Sequence, residues 1–276
     1  DRWFCVFREG QKHVSPDGSL RILTSTDALN WESAALIRSE RSDLRDAKIC
    51  VTPKGELMLS GAGALHEAGA VKHESYAWFS KDGFHWGKPV TIGDPNQWLW
   101  RTTWHGKRAL SVGYETAGGN YVRLYETRDG RKFRTLVPRL FDQEEPNEHS
   151  IVFLPDDTAL CVMRRDGKPG RAVLGRSRPP YKDWHWQELG QRLGGPQMIR
   201  LADGRMVVAG RLYEGGVRTS LLWLDPVKGE MTEFLKLPSG GDTSYPGLVW
   251  HENRLWVSYY SSHEGKTAIY FAEVQL

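Results

Sequence analysis

The sequence predicts an all-β chain folded as a six-bladed β-propeller, with the first blade incomplete at the N-terminal end. Three observations predict it. Short apolar strands recur at a spacing near 50 residues, most are preceded by another strand and a tight turn, and one Ser/Thr–Asp–aromatic turn pattern recurs among them. A β pattern with this period is that of a propeller, whose repeats each bury their apolar faces against neighbouring repeats.

The recurring strand occupies residues 3–8, 57–62, 109–114, 159–164, 206–211 and 255–260. Five of these follow an inner strand, at 47–52, 97–104, 150–154, 197–201 and 247–250. The connections carry Pro53-Lys54-Gly55-Glu56, His105-Gly106-Lys107, Pro155-Asp156-Asp157, Ala202-Asp203-Gly204 and His251-Glu252-Asn253, which is hairpin chemistry. A third and fourth strand follow in most repeats, for example 121–126 and 133–137, giving four-stranded blades in one domain over 1–276. The first blade lacks an inner strand before Trp3. Either the run 267–274 closes the ring in an altered way, or that strand belongs to sequence upstream.

The turn pattern stands at Ser25-x-Asp27-x-x-x-Trp31, Ser80-x-Asp82-x-x-x-Trp86 and Thr127-x-Asp129-x-x-x-Phe133. Asp and Ser/Thr side chains satisfy turn backbone groups while the aromatic ring plugs the blade core. The pattern supports the fold and says little about chemistry.

Composition narrows the function. Charged residues are 26% and hydrophobic residues 39% of 276, an ordinary soluble balance. A formal net charge of +3 without a Lys/Arg block argues against nucleic acid as partner. No run of 18 apolar residues exists, so no membrane insertion is expected. Cys5, Cys50 and Cys161 lie in apolar strand runs and read as three buried free thiols. No metal-ligand spacing stands out among His13, His66, His149 and His263, and no cofactor is expected. The chain opens inside a blade. It is expected to be secreted or periplasmic if an upstream signal was removed, and cytoplasmic otherwise.

Arginine ends three of the six recurring strands, at Arg8, Arg164 and Arg211. A propeller gathers equivalent points of its blades around one axis, so these three are expected to share a pocket and hold an anion. Four segments add to this. They are Pro146-Asn147-Glu148-His149-Ser150, the run Leu160 to Arg164, the run Met206 to Arg211, and Thr243-Ser244-Tyr245-Pro246-Gly247. Together with the turns, which look like shortened Asp-boxes, these segments resemble the sialidase superfamily over most of the chain, in the order Glu, Arg, Arg, Tyr.

The resemblance implies a glycoside hydrolase that releases a terminal acidic sugar, sialic acid or a related 2-keto acid. It implies Tyr245 as nucleophile, Glu148 as the base that activates it, and arginines gripping the sugar carboxylate. The partner would be an acidic glycan or glycoconjugate. The physics is coherent. The anomeric carbon of such a sugar carries a carboxylate, which repels a carboxylate nucleophile but not a neutral phenol. A phenol with a reference pKa of about 10 needs a nearby base. Guanidinium forks match a planar carboxylate.

Three departures matter. The family's first arginine lies in the inner strand that the first blade lacks, and Arg8 matches a second arginine that follows it. The family's acid/base aspartate belongs to the loop after Arg8, where this chain has Glu9, His13 and Asp17. Asp46, which with Arg45 opens the second blade, is the preferred alternative to His13, and Arg45 joins the substrate-binding candidates. The family's late glutamate gives way to Tyr259-Tyr260, with Glu264 further on. Two rival readings remain: a carbohydrate-binding propeller without catalysis, and a glycosidase or lyase acting on another anionic glycan.

Overall fold

The computed structural model describes residues 2–67 and 69–276. Every regular element among them is a strand. The strands form six small antiparallel sheets in chain order, the blade set of a six-bladed β-propeller. The chain divides into two compact units, Asp1–Leu140 and Phe141–Leu276.

The first unit carries three sheets. The first holds β1 (Trp3–Glu9), β2 (Ser19–Ser25) and β3 (Glu32–Ile37). The second holds β4 (Ser42–Val51), β5 (Leu57–Leu65), β6 (His73–Ser80) and β7 (Val90–Ile92). The third holds β8 (Gln97–His105), β9 (Arg108–Glu115), β10 (Val122–Thr127) and β11 (Phe133–Phe141). One core, with Leu20, Ile22, Leu44, Leu59 and Trp78, lies between the first and second sheets. Another, with Met58, Ala77, Leu99 and Tyr125, lies between the second and third.

The second unit repeats the plan. Its sheets are β12 (Pro146–Phe153), β13 (Ala159–Arg165), β14 (Val173–Ser177) and β15 (His185–Glu188), followed by β16 (Leu193–Arg200), β17 (Met206–Leu212), β18 (Arg218–Asp225) and β19 (Glu230–Lys236). The last comprises β20 (Thr243–His251), β21 (Arg254–Ser261) and β22 (Ala268–Val274). The middle sheet shows why these strands read as continuous apolar runs. Met206 and Val208 face the core shared with β13 and β14, while Val207 and Ala209 face the core shared with β21. A strand buried on both faces has no polar alternation.

The structure corrects four expectations. Among the described residues the sixth sheet has three strands, not four. The first is incomplete as expected, since β1 holds the second-strand position; the run at 267–274 is the third strand of the last sheet and pairs with β21. Four inner strands begin four or five residues earlier than the apolar run suggests, because a bulge interrupts each of them before it; β8 alone begins where read. Strand β13 ends at Arg165, so Arg164 and Arg211 are not register equivalents: Arg211 faces Gly194, and the matching residue is the buried Arg165, tied to Glu144 and Glu188. The three cysteines form no disulfide, and only Cys161 is fully buried.

The turn pattern works as read. Asp27 accepts from the amides of Leu29 and Asn30, and Asp82 from those of Phe84 and His85. Trp31 and Trp86 donate to the carbonyls of Ala28 and Gly83. The fourth sheet closes the same turn without the aspartate: Trp184 donates to the Tyr181 carbonyl at 3.0 Å, and Tyr181 takes the left-handed backbone of Ala28.

Candidate active site

The site grows from one repeated irregularity. In each of β4, β8, β12, β16 and β20, two residues oppose one on the neighbouring strand. The bulged pairs are Asp46-Ala47, Trp100-Arg101, Asn147-Glu148, Gly195-Pro196 and Tyr245-Pro246. A bulge bends the strand and re-aims its side chains, and bulges concentrate beside active sites. Asp46 and Tyr245 occupy the same position of their own sheets, both with a left-handed backbone, φ 57° and 49°. For a ring as bulky as tyrosine that conformation costs about 1–3 kcal/mol and persists only where the surroundings impose it.

In the second unit the surroundings of Tyr245 are a hydrogen-bonded carboxylate. The Tyr245 hydroxyl donates to Glu148 Oε1 at 2.7 Å. Glu148 is 5% exposed, and its other oxygen accepts from Arg164 Nη1 at 2.8 Å and from the Gly195 amide at 2.8 Å. Arg164 is fixed in turn by Asp166, whose second oxygen accepts from Asn147. Burial opposes the Arg164 charge, but Glu148 and Asp166 outweigh it and raise its pKa.

Arg211 is fixed from the other side. Its Nε donates to the Thr243 carbonyl at 2.6 Å, and its Nη2 donates to Asp242 at 2.9 Å and to the Tyr260 hydroxyl at 2.7 Å. Tyr260 donates to Asp242 at 2.7 Å and sets its ring edge against Tyr245, 5.6 Å between centroids. Burial raises the Tyr260 phenol pKa, which keeps it neutral and able to donate. Among the described residues, Arg164 Nη2 and Arg211 Nη1 make no hydrogen bond, so each guanidinium keeps an edge for a ligand.

Two glycines make the room. A Cβ on Gly194 would stand 2.5 Å from the Tyr213 hydroxyl, and one on Gly195 would stand 2.4 Å from Tyr245 Cδ1. Gly195 also has φ +59°. Gly195→Ala is expected to cost about 1–3 kcal/mol in backbone strain. It should also lower turnover about 10²-fold by moving the ring about 1 Å. Denaturant midpoint and kcat on the folded variant check the two parts separately.

In the first unit the candidates are arranged differently. Arg8 and Arg45 both bond Asp43, at 2.8 and 2.6 Å, and Asp43 is 4% exposed. The Ser15 amide adds a fifth donor. A carboxylate so placed orients two guanidiniums. Its removal leaves both charges uncompensated, so Asp43→Ala is expected to lower stability by about 3–5 kcal/mol, read from a denaturation midpoint. Asp46 sits half-buried on its bulge, with its carbonyl accepting from Lys48. His13 is exposed in the loop after β1. Glu9 is held in a bidentate pair with Arg21, and Asp17 accepts from the Gln11 amide.

The structure thus joins Glu148, Tyr245, Arg164 and Arg211 in one unit, and Arg8 with Arg45 in the other. Sequence reasoning missed Asp43, Asp166, Asp242, Tyr260 and the Gly194-Gly195 pair. The glycines carried a signal, since glycine inside a strand marks a bulge or a close approach, and Tyr260 stood where the resemblance placed a glutamate.

No protein-family model and no curated protein sequence matches the chain. Solved structures do. A protein of unknown function from Dyadobacter fermentans is similar over 100% of this chain and 91% of its own, with TM-score 0.87 and 19% identity. An α-L-arabinanase from Penicillium chrysogenum, solved with arabinobiose, is similar over 93% of this chain and 85% of its own, with TM-score 0.71 and 14% identity. The NanB sialidase of Streptococcus pneumoniae is similar over 99% of this chain and 66% of its own, with TM-score 0.75 and 10% identity. At these identities the likeness establishes the fold.

Proposed function

We propose that the chain is a glycoside hydrolase that releases a terminal acidic sugar, with Tyr245 as nucleophile and Glu148 as its base. The observation that carries the reading is the 2.7 Å hydrogen bond from the Tyr245 hydroxyl to Glu148. A tyrosine whose proton already points at a buried carboxylate is the arrangement an activated phenol requires. Two carboxylates about 4 Å apart in a partly buried site repel by about 4 kcal/mol, which a neutral phenol avoids against an acidic sugar. That structural neighbours include glycosidases of two kinds supports hydrolysis of glycosides in general.

In this reading the Tyr245 oxygen attacks the anomeric carbon, and the phenol proton passes to Glu148 Oε1. The glycosidic bond breaks, and the leaving oxygen takes a proton from a general acid. Water then attacks the glycosyl-tyrosine and gives its proton to the conjugate base of that acid, Glu148 returns the proton to the departing phenolate, and the sugar leaves with retained configuration. The free edges of Arg164 and Arg211 hold the sugar carboxylate. For the general acid, Asp46 ranks before His13. Loss of the alkaline limb of the pH–rate bell in His13→Ala, but not in Asp46→Asn, would reverse that order.

A second reading rests on one observation. In the second unit Arg164, Arg192 and Arg211 are balanced by Glu148, Asp166 and Asp242, which favours a neutral sugar such as an arabinofuranoside. Release of 4-methylumbelliferone from α-sialoside, deaminated α-sialoside and α-L-arabinofuranoside decides between them. Turnover of an acid only supports the proposal. Turnover of the furanoside only supports the second reading, and binding without turnover makes the chain a carbohydrate-binding propeller.

A further inference from the structure

We propose that Asn147 is a positioning residue for the base: its carboxamide closes a hydrogen-bond circuit that holds Glu148 against the Tyr245 hydroxyl. All residues of the circuit belong to Phe141–Leu276, and the role given to Asn147 rests on the reading of Glu148 as the base.

The circuit starts at the bulge of β12. Asn147 and Glu148 stand between the paired residues Pro146 and His149, opposite Arg164. A bulge takes its extra residue out of the ladder, so backbone groups there need other partners. The Asn147 side chain supplies one: its Oδ1 accepts from the Glu148 amide at 2.6 Å. Its Nδ2 donates to Asp166 Oδ2 at 2.8 Å and to the Glu145 carbonyl at 3.4 Å. Asp166 Oδ1 accepts from Arg164 Nε at 2.9 Å, and Arg164 Nη1 donates to Glu148 Oε2 at 2.8 Å. The path leaves Glu148 at its amide and returns to it at its carboxylate. The Asp166 amide donates to the Glu145 carbonyl at 3.1 Å, which ties the far corner to the chain entering β12.

Glutamate is long and loses much rotamer freedom when ordered, so a base on this side chain has to be held. Here both of its ends are fixed, the amide by Asn147 and Oε2 by Arg164 and the Gly195 amide. With Oε2 occupied, Oε1 faces the Tyr245 hydroxyl at 2.7 Å. The chemistry at position 147 is specific. A carboxamide carries an acceptor and a donor on one planar group, and both are used. An aspartate there keeps the acceptor for the Glu148 amide but sets a second carboxylate against Asp166. Two carboxylates at hydrogen-bond distance repel, and the Asp166 that orients Arg164 is pushed away. The shape of the residue survives and the circuit opens.

The test compares Asn147→Asp with the swapped pair Asn147→Asp plus Asp166→Asn, on whichever glycoside the parent hydrolyses. The single variant is expected to lower kcat about 10²-fold, the scale of a 1 Å misplacement, with KM within about threefold. In the swapped pair the donor again meets an acceptor, and a carboxamide oxygen still accepts from Arg164 Nε. Its kcat should recover to within about tenfold of the parent, a coupling that independent sites do not show. Should the aspartate variant fail to fold, Asn147→Ala opens the circuit without an added charge, and its kcat and KM take the place of the single variant's. An unchanged kcat, a loss shared equally by kcat and KM, or a swapped pair no better than the single variant would overturn the inference. If the parent hydrolyses no glycoside, the reading of Glu148 as base fails, and the position of its carboxylate is read without activity. The ¹³Cζ resonance of Tyr245 in labelled protein, assigned by its absence in Tyr245→Phe, should move in Asn147→Asp and return in the swapped pair. A resonance that stays in place in both would overturn the circuit itself.

Discussion

Tyr245→Phe is expected to lower kcat by about 10³-fold or more while leaving substrate affinity within about threefold. The substitution removes one oxygen. The ring keeps its edge contact with Tyr260 and its fit over Gly195, so the fold and the sugar site persist. What is lost is the atom that attacks, together with the 2.7 Å bond to Glu148. Glu148 keeps Arg164 and the Gly195 amide as partners, so no charge is stranded by the change. A phenylalanine variant that turned over like its parent would make Tyr245 a packing residue and transfer the nucleophile elsewhere.

Glu148→Gln should cost about 10²–10⁴-fold in kcat, the usual scale for a lost general base. The amide is nearly isosteric but cannot take the phenol proton. It also leaves Arg164, 16% exposed, with Asp166 as its one remaining charge partner among the described residues, so thermal stability should fall as well. The two effects separate by pH. Loss of a base flattens the acidic limb of the rate profile, whereas a merely weakened fold lowers the whole curve. An unchanged acidic limb in the glutamine variant would remove Glu148 from the chemistry.

The sequence carried the blades because propeller strands are buried on both faces. Runs such as Met206–Leu212 and Ala159–Arg165 are apolar without alternation and recur at a fixed distance. It did not carry the bulges. The residues at the bulge position, Asp46, Trp100, Asn147, Gly195 and Tyr245, share no chemical type, so no pattern marks them. Counting from strand ends therefore set Arg164 and Arg211 in one register, when pairing separates them by one residue.

The site was legible in part for the same reason. Tyr245 and Glu148 lie 97 residues apart, and only the resemblance of their two segments to one superfamily joined them. The carboxylates that orient the arginines left no trace. Asp43 serves Arg8 across 35 residues and Asp242 serves Arg211 across 31, contacts that exist only once sheets are stacked. Asp166 stands two residues from Arg164, but nothing local distinguishes it from a solvated loop aspartate.

The central claim is that Tyr245 becomes covalently glycosylated. Incubation with a fluorinated, activated acidic sugar that slows the second step, followed by intact-mass and peptide mass spectrometry, tests it most directly. The account predicts one added sugar mass per chain, located on the peptide containing Tyr245 and absent in Tyr245→Phe. A sugar mass on the Glu148 peptide, or full turnover of the unfluorinated substrate with no adduct in the parent, would contradict it.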